Sequence, residues 1–309
     1  KTLRRKVMKV EMFGLSLPEV KPGDDLARIL VDSCVKEAGG IRDGDILVVT
    51  SKIVSKAHGL LIKVGEVKPG VKALKIAKKT GMDPKMVQAV LDNSDEILFA
   101  VPFMKLVEKG LINIECVAQD KERAYQAVRK IPCLLIVRRG GQIYSDAGLD
   151  FSNHPEGIAS IPPEDPDEYA KELREEIRGI TGKEVAVIIS DTEVAPFVGS
   201  LDLARGASGI EVVSRKFGEL DRYGKPKFGG VDHVANELAC ASALLMGQTS
   251  EGIPAVLIRG LKYVKSEEGI SSYSLSSKTV RAIIKEIIKQ TIRITGIKSI
   301  LRLMFSLTI

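Results

Sequence analysis

The chain has 309 residues, of which 44% are hydrophobic, 28% are charged and 5% are aromatic. This apolar content excludes an intrinsically disordered chain, and 28 glycines with four cysteines exclude the collagen-like and disulfide-stapled classes. No run approaches about 18 uninterrupted apolar residues, so we predict no membrane-spanning helix. Basic residues at positions 1–6 lack the apolar core of a signal peptide behind them, and we predict a cytoplasmic protein.

The net charge of +6 is concentrated at the C-terminal end. From position 278 onward there are seven basic residues and one acidic residue, which equals the whole excess, so the rest of the chain is neutral. A neutral body disfavours binding to a nucleic-acid backbone, because that affinity depends on clustered neutralisation of phosphates. The scarcity of aromatic residues also disfavours a surface for stacking bases, and we predict no nucleic-acid partner.

Hydrophobic periodicity and cap residues predict most elements of the N-terminal half. In chain order they are a strand over 8–17, a helix from Asp24 or Asp25 to about Lys36, a buried strand over Ile46–Val49, helices over 71–80 and 84–92, a helix over Lys121–Lys130 and a buried strand over Ile131–Val137. The segment 138–157 is rich in Gly, Asp, Asn and Pro and predicts a loop.

The C-terminal half contains the clearest helix, with Asp165 as its cap, Pro166 at its first position and Glu168 completing a capping box. It is followed by a buried strand over Val185–Ile189 that ends in Ser190-Asp191-Thr192, a helix from about Val231 to Met246, a buried strand over Pro254–Arg259 and a basic helical region over 278–304. Strands and helices do not alternate strictly, so we predict an α+β fold with mixed sheets and packed helices.

Two carboxylates are predicted just beyond buried strands. Asp150 follows Ile131–Val137 in the acidic loop, and Asp191 follows Val185–Ile189 directly, with the hydroxyl of Thr192 next to it. Hard oxygen ligands of this kind suit Mg²⁺ or Mn²⁺. These ions take phosphate oxygens as their remaining ligands, so the two aspartates suggest phosphoryl chemistry. The alternative is that these residues only shape turns, as Asp commonly does.

A second candidate for phosphate binding is Ser51-Lys52-Ile53-Val54-Ser55-Lys56, after the strand that ends at Val49. If the segment is helical, its two lysines lie four residues apart on one face and suit phosphate charge, although a solvated turn is the commoner explanation. The sequence contains no P-loop, because the nearest match, Gly218–Pro226, has one residue too many between its glycines. No G-x-G-x-x-G motif follows a predicted strand.

Cysteine and histidine spacing indicates no metal site or nucleophile. Cys34, Cys116, Cys133 and Cys240 form no C-x-x-C pair and are predicted to be buried free thiols. His58, His154 and His233 are scattered. Only His154, beside Asn153 in the predicted loop over 138–157, is well placed, and we do not expect it to act as a general base.

Several blocks of the chain together resemble the coenzyme F-420 glutamate ligase family, whose members use GTP to attach glutamate to a deazaflavin coenzyme precursor. The blocks are Lys21-Pro22-Gly23-Asp24-Asp25-Leu26, Gly44-Asp45 through Gly59, Met86–Leu91, Asp146–Asp150 with Ser152-Asn153, Ile189–Thr192, and Leu244–Gln248 followed by Gly252–Val256. They span about residues 10–262 in the order of the family. The resemblance predicts a ligase region over 8–262, with 101–132 as an insertion within it, and a basic helical extension over 263–309.

The resemblance also implies roles for individual residues. The divalent-metal ligands would be Asp150, Asp191, Thr192 and Gln248, and the two aspartates would be the catalytic residues. The nucleotide-binding positions would be Leu17, Pro18, Glu19, Val20, Ser51, Lys52, Lys56, Asn153, Met246 and Gly247. The implied partners are GTP, L-glutamate, the coenzyme precursor, two Mg²⁺ or Mn²⁺ ions with K⁺ as an optional addition, and a second copy of the chain in a homodimer.

The implied reaction transfers the γ-phosphoryl group of GTP to a substrate carboxylate, and the amine of glutamate then attacks the acyl phosphate. The segment 193–200 departs from the polar, arginine-bearing sequence that the family usually has there, and Arg138-Arg139-Gly140-Gly141 is unusual. The alternatives are therefore a paralogous ligase that acts on another carboxylate, or a nucleotide-binding protein without catalysis. For the apolar tail Ile297–Ile309 we favour packing on the body or on a partner over an interfacial membrane helix.

Overall fold

The computed structural model describes residues 9–195 and 199–298. The chain divides into two compact units, the first ending at Ser272 and the second starting at Tyr273. In the described ranges, no helix is both apolar enough and long enough to cross a membrane. The predicted tail beyond 298 lies outside the described residues, as do positions 1–8.

The first unit is a mixed α and β structure, as predicted. Its described helices are α1 (Leu26–Ala38), α2 (Ser51–Ala57), α3 (Val71–Thr80), α4 (Pro84–Asp92), α5 (Phe103–Glu108), α6 (Lys121–Lys130), α7 (Pro166–Thr181) and α8 (Val234–Met246). Its described strands are β1 (Glu11–Leu15), β2 (Ile46–Thr50), β3 (Leu61–Lys63), β4 (Glu96–Val101), β5 (Leu134–Arg139), β6 (Gln142–Ser145), β7 (Ile158–Ser160), β8 (Ala186–Ala195), β9 (Gly199–Ser208) and β10 (Ala255–Arg259).

The central sheet has five strands in the order β1-β10-β2-β8-β9. Only β2 and β8 pair in parallel, while the other neighbours are antiparallel. Strands β2 and β10 lie inside the sheet and are buried on both faces, because their apolar runs have no polar alternation. Leu47 and Val49 point into the core that includes α1 and α7, and α8 packs against β9, β10, β1 and β8.

Two smaller sheets complete the unit, β3-β7 and β4-β5-β6. Helices α3 and α4 pack on the second of these through a separate core, in which Val87 and Val90 meet Leu135 and Val137. The predicted helices over 71–80 and 84–92 are confirmed, with Gly81 in the left-handed conformation between them. The helix over Lys121–Lys130 also has its predicted bounds.

Cap chemistry explains why other helices begin where the sequence predicts. The side chain of Asp25 accepts from the backbone N–H of Arg28 at 2.8 Å and starts α1. Asp165 accepts from the N–H of Glu168 at 3.3 Å and Pro166 begins α7, which ends at the left-handed Gly182. These side chains satisfy N–H groups that have no partner within the helix.

Two expectations about strands are wrong. The segment 138–157 is not a continuous loop, since β6 pairs with β5 within it. Strand β8 does not end before Ser190 but continues to Ala195, because β9 pairs with it along its whole length, with a register shift between Ile189 and Ser190. The segment Gly199–Ser208, which the sequence did not predict as a strand, is therefore β9. Position 206 requires glycine, because a Cβ atom there would lie 2.2 Å from the backbone of Pro166.

The prediction that the four cysteines are buried free thiols is confirmed in part. All four cysteines are free, and Cys34 and Cys133 are buried, but Cys240 is only half-buried and Cys116 is exposed. Cys116 is exposed because it lies in a short 3-10 turn between α5 and α6 rather than in a strand. None of the four lines the cavity described below.

The second unit contains α9 (Ser277–Thr295), which starts one residue before the basic helical region predicted over 278–304 and ends at Thr295, before its predicted end. The hydroxyl of Ser276 caps it by accepting from the N–H of Thr279 at 3.1 Å. The helix is amphipathic, since Ile283 and Ile287 share one face and Lys285 and Lys289 share another.

Candidate active site

A cavity of about 540 Å³ lies at one edge of the central sheet. Strands β2 and β8 run parallel with Thr50 opposite Ser190, so the residues that follow on both strands emerge at the same edge. The other walls are the turn after β1, the loop between β6 and β7, and the loop between α8 and β10. Residues far apart in the sequence therefore share one concave surface.

The structure brings nearly all of the sequence-predicted site residues to this cavity. Those that line it are Leu17, Pro18, Glu19, Val20, Lys52, Lys56, Asp150, Asn153, Asp191, Thr192, Met246, Gly247 and Gln248. Ser51 does not line it, because it is the buried first residue of α2. The predicted convergence of Asp150 and Asp191 is thus a geometric fact, while the roles of these residues are taken up below.

Asp191 is a carboxylate without a close cation. One oxygen, Oδ1, accepts from the N–H of Thr192 at 3.0 Å, and among the described residues no Lys, Arg or His forms an ion pair with it. Burial raises the pKa of Asp191 to about 7, against the lowering effect of Arg205, while Glu193 and Asp150 raise it further. A bound cation would favour the ionised form of this group.

Asp150 is held at the cavity by both its backbone and its side chain. Its backbone forms an isolated bridge with Ser160, and its Oδ1 accepts from the hydroxyl of Ser152 at 2.7 Å. Its Oδ2 lies 3.0 Å from Nζ of Lys52, which also donates to Ser152 Oγ at 2.5 Å. These contacts leave further lone pairs on the carboxylate, since each oxygen accepts more than one bond.

Lys56 is on the same helix as Lys52, and its side chain is 7% exposed. Its ammonium group donates to Glu19 Oε1 at 2.6 Å and to the backbone oxygen of Asn153 at 2.7 Å. Asn153 has a left-handed backbone with φ of 55°, which Asn tolerates better than most residues, and its amide donates to the carbonyl of Thr249 at 3.1 Å. These hydrogen bonds therefore connect the turn after β1, the loop between β6 and β7, and the loop between α8 and β10.

Sequence reasoning missed three acidic residues of the cavity, Asp202, Glu193 and Glu251. Asp202 lies on β9 directly opposite Thr192 and is 4% exposed. The only signal in the sequence is a carboxylate between Leu201 and Leu203, which becomes informative once β9 is known to be a strand. Glu193 lies two residues beyond Asp191 on β8, in the segment that departs from the family pattern.

Glu193 belongs to a buried ion pair with Arg205 of the neighbouring strand. Its Oε2 accepts from both the N–H and the hydroxyl of Ser145, at 2.9 and 2.8 Å. Burial raises the pKa of Glu193, and the guanidinium of Arg205 opposes that rise. The guanidinium also stacks on the ring of Tyr144 at 3.8 Å, so this pair joins the central sheet to β6.

His154 is next to the cavity loop but does not line the cavity. Burial lowers the pKa of His154, and the charge of Lys56 lowers it further, so the neutral form is favoured. Its Nε2 is buried without a hydrogen-bond partner. The prediction that it is not a general base stays a prediction.

The donor set of the cavity fits divalent cations. Among the described lining residues, six are acidic and two are lysines, so a triphosphate would meet net repulsion unless cations came with it. The hydroxyl of Ser190 lines the cavity and is buried without a partner. No group of three or more His, Cys, Asp or Glu with metal-binding geometry occurs in the described ranges, and any ion here would take part of its ligands from neutral oxygens and phosphate.

Comparison with known proteins gives a consistent result. A sequence model of the family described as F420-0:Gamma-glutamyl ligase matches residues 14–260. The coenzyme F420:L-glutamate ligase of Methanothermobacter thermautotrophicus is 35% identical over 267 residues, which cover 85% of this chain and 94% of that protein. The enzyme of the same name from Archaeoglobus fulgidus is 38% identical over 256 residues, covering 82% and 89%.

These matches place the protein among the ligases. The chain belongs to the F420-0:gamma-glutamyl ligase family, because the family model covers well over half of it. The resemblance drawn from the sequence blocks is therefore confirmed.

Proposed function

We propose that this protein is a GTP- and metal-dependent ligase that adds L-glutamate to the carboxylate of a coenzyme F420 precursor through an acyl phosphate. The observation that carries the proposal is the cavity in which Asp150 and Asp191 meet Lys52 and Lys56. Carboxylates that gather cations, with lysines that face phosphate oxygens, are the parts that phosphoryl transfer requires. The activity named for the relatives from M. thermautotrophicus and A. fulgidus supports the same chemistry.

The proposed cofactor is a pair of Mg²⁺ or Mn²⁺ ions, which when bound would neutralise phosphate charge and polarise the γ-phosphoryl group. Asp150 and Asp191 would hold them, with Thr192 and Gln248 contributing neutral oxygens. Each of these side chains lines the same cavity.

The residues of the chain would act mainly by binding and orientation. Lys52 and Lys56 project from one helix and would neutralise phosphate oxygens as charge moves to the leaving GDP. The turn over 17–20 and the loop over 246–254 form the remaining walls, which would exclude water from the acyl phosphate before the amine of glutamate attacks it. No covalent bond to the enzyme is needed, which agrees with the absence of a nucleophile motif in the sequence.

The test is to incubate the full chain with GTP, Mn²⁺, L-glutamate and the coenzyme precursor that lacks glutamate, and to analyse the product by mass spectrometry. A product heavier by one or more glutamyl residues, with GDP and phosphate released in equal amount, is the expected result. GTP cleavage without glutamylation, followed by turnover of another carboxylate in a substrate panel, would replace the proposal with a paralogous ligase. Metal-dependent GTP binding without any turnover would replace it with a binding protein.

We also propose that the protein is a homodimer, which the family resemblance supports. Light scattering of the full chain would then give twice the monomer mass of 33.5 kDa. A mass of one chain at micromolar concentration would contradict this part of the proposal without affecting the ligase activity.

A further inference from the structure

The carboxylate of Asp202 occupies an unusual position on the cavity wall. It is 4% exposed, and no described Lys or Arg forms an ion pair with it. A single oxygen, Oδ1, accepts from the hydroxyl of Thr192 at 2.7 Å and from Nε2 of Gln248 at 3.2 Å. The same Thr192 hydroxyl lies 3.1 Å from Oε1 of Gln248. Three side chains from β8, β9 and the loop after α8 therefore meet at one point.

The hydrogens of Thr192 and Gln248 are both used in bonds to Asp202, so the oxygens of these two side chains share no hydrogen bond. The Thr192 hydroxyl has one hydrogen, which goes to the closer, charged acceptor on Asp202. The amide of Gln248 must turn its NH₂ group to Asp202, because the opposite orientation would place its oxygen against the carboxylate. Thr192 Oγ1 and Gln248 Oε1 then face each other with no hydrogen between them.

The spacing of these two oxygens fits a divalent cation. Neighbouring ligands of an octahedral Mg²⁺ ion, with metal–oxygen distances of about 2.1 Å, lie about 3 Å apart. The observed separation is 3.1 Å, whereas two acceptor oxygens at this distance repel each other if nothing positive lies between them. Asp191 precedes Thr192 and supplies a carboxylate to the same cavity.

We propose that Asp202 is a positioning residue, which orients the oxygens of Thr192 and Gln248 toward a divalent cation without being one of its ligands. The proposal rests on the proposed function, since it concerns the ion used there. Asp202 binds the hydrogens of both side chains and thereby directs their lone pairs into the cavity. It also adds a negative charge beside the ion, as outer-sphere carboxylates commonly do.

The test measures Mn²⁺ binding rather than activity. Mn²⁺ affinity of the full chain is determined by electron paramagnetic resonance in the presence of a non-hydrolysable GTP analogue, for the natural protein and for Asp202→Ala, Thr192→Val and the double variant. Asp202→Ala is expected to weaken Mn²⁺ binding by about 10–100-fold. The double variant is expected to be little worse than either single variant, because both changes remove the same ligand arrangement.

Two control variants distinguish the positioning role of Asp202 from the loss of a negative charge and from an effect on folding. Glu251→Gln removes one charge from the same cavity, where Glu251 accepts hydrogen bonds from Thr249 and not from Thr192 or Gln248, and it is expected to change the affinity less than about threefold. Asp202→Leu keeps about the same side-chain volume but has no acceptor, and it replaces Asp202→Ala if the latter does not fold.

Three outcomes overturn the inference. Unchanged Mn²⁺ affinity in the Asp202 variants removes the positioning role, and fully additive losses in the double variant indicate that Asp202 is itself a ligand. Absence of Mn²⁺ binding in the natural protein removes the proposed function as well. The first two results leave the proposed function intact, so the two failures are distinguishable.

Discussion

Lys52 Nζ lies 3.0 Å from Asp150 Oδ2, and this ion pair joins α2 to the loop after β6 across the candidate active site. Both side chains are partly exposed to the cavity, at 20% and 32%. A phosphate entering the cavity would meet an ammonium group that is already held in position. The pair therefore fixes the position of the Lys52 ammonium group at the cavity.

Replacement of this lysine should weaken nucleotide binding. Lys52→Met removes a charged hydrogen bond to phosphate, which contributes about 1.5–3 kcal/mol, so the dissociation constant for a GTP analogue with Mn²⁺ should rise about 10–100-fold. Isothermal titration calorimetry measures it. Lys63→Met changes an exposed lysine away from the cavity and should leave the affinity as it is. Equal affinities for the two variants would place the phosphates elsewhere.

Asp191 should be necessary for metal-dependent binding. Asp191→Asn removes the negative charge while retaining an acceptor for the N–H of Thr192, so the fold should persist and the Mn²⁺-dependent part of nucleotide binding should disappear. The matched control is Asp165→Asn, because Asn caps a helix as well as Asp does. Titration of the analogue with and without Mn²⁺ gives the comparison, and unchanged binding in Asp191→Asn would show the metal assignment to be wrong.

Asp146 should make stability depend on pH. Its side chain accepts from the N–H of Leu135 at 2.8 Å, and burial raises its pKa to about 6. Because this pKa exceeds the unfolded value of about 3.9, the folded state binds more protons between pH 4 and 6. Stability from this group is therefore present below pH 4 and lost as the pH rises through 6.

The variant Asp146→Asn stays neutral and can keep the hydrogen bond to Leu135, and Asn tolerates the φ of 45° at this position. Its free energy of unfolding in urea, relative to the natural protein, should increase by about 2.4 kcal/mol between pH 4 and pH 7.5. Asp120→Asn, at an exposed helix cap, should show a much smaller change. A relative stability of Asp146→Asn that is independent of pH would contradict the burial of an ionisable carboxyl group.

Alanine substitutions at Gly206 and at Gly179 should change the free energy of unfolding in opposite directions. A Cβ atom at Gly206 would lie 2.2 Å from the backbone of Pro166, so Gly206→Ala should force β9 and the start of α7 apart and lower the free energy of unfolding by about 1–3 kcal/mol or more. Gly179 lies within α7 with nothing within 4 Å of the added atom, and Gly179→Ala should raise stability by about 0.5–1 kcal/mol. Urea unfolding measures both, and a Gly206→Ala protein as stable as the natural one would contradict this close contact.

Local chemistry explains which elements were predictable. The starts of α1 and α7 and the break between α3 and α4 depend on cap residues, proline and glycine that act within a few residues of themselves. Sequence blocks likewise identified the family, and they selected Asp150 and Asp191. These inferences needed no knowledge of distant contacts.

The prediction for β8 was wrong for the opposite reason. Its apolar run ends at Ile189, and the polar residues that follow resemble a strand end, yet pairing with β9 continues the strand to Ala195. That pairing is also what places Asp202 opposite Thr192. A hydrogen bond between strands depends on which segments meet, and residue patterns within one segment do not contain that information.

The sequence by itself determined the family and the limits of helices such as α3, α4 and α6, and it selected the side chains proposed to bind cations and phosphate, because each depends on local propensity or on shared blocks. Tertiary structure alone decided that these side chains share one cavity, that Ser51 is excluded from it, and that Asp202 and Glu193 belong to it. The reason is that register and sheet order arise from contacts between residues far apart in the chain, and a site built across several strands exists only once those strands are paired.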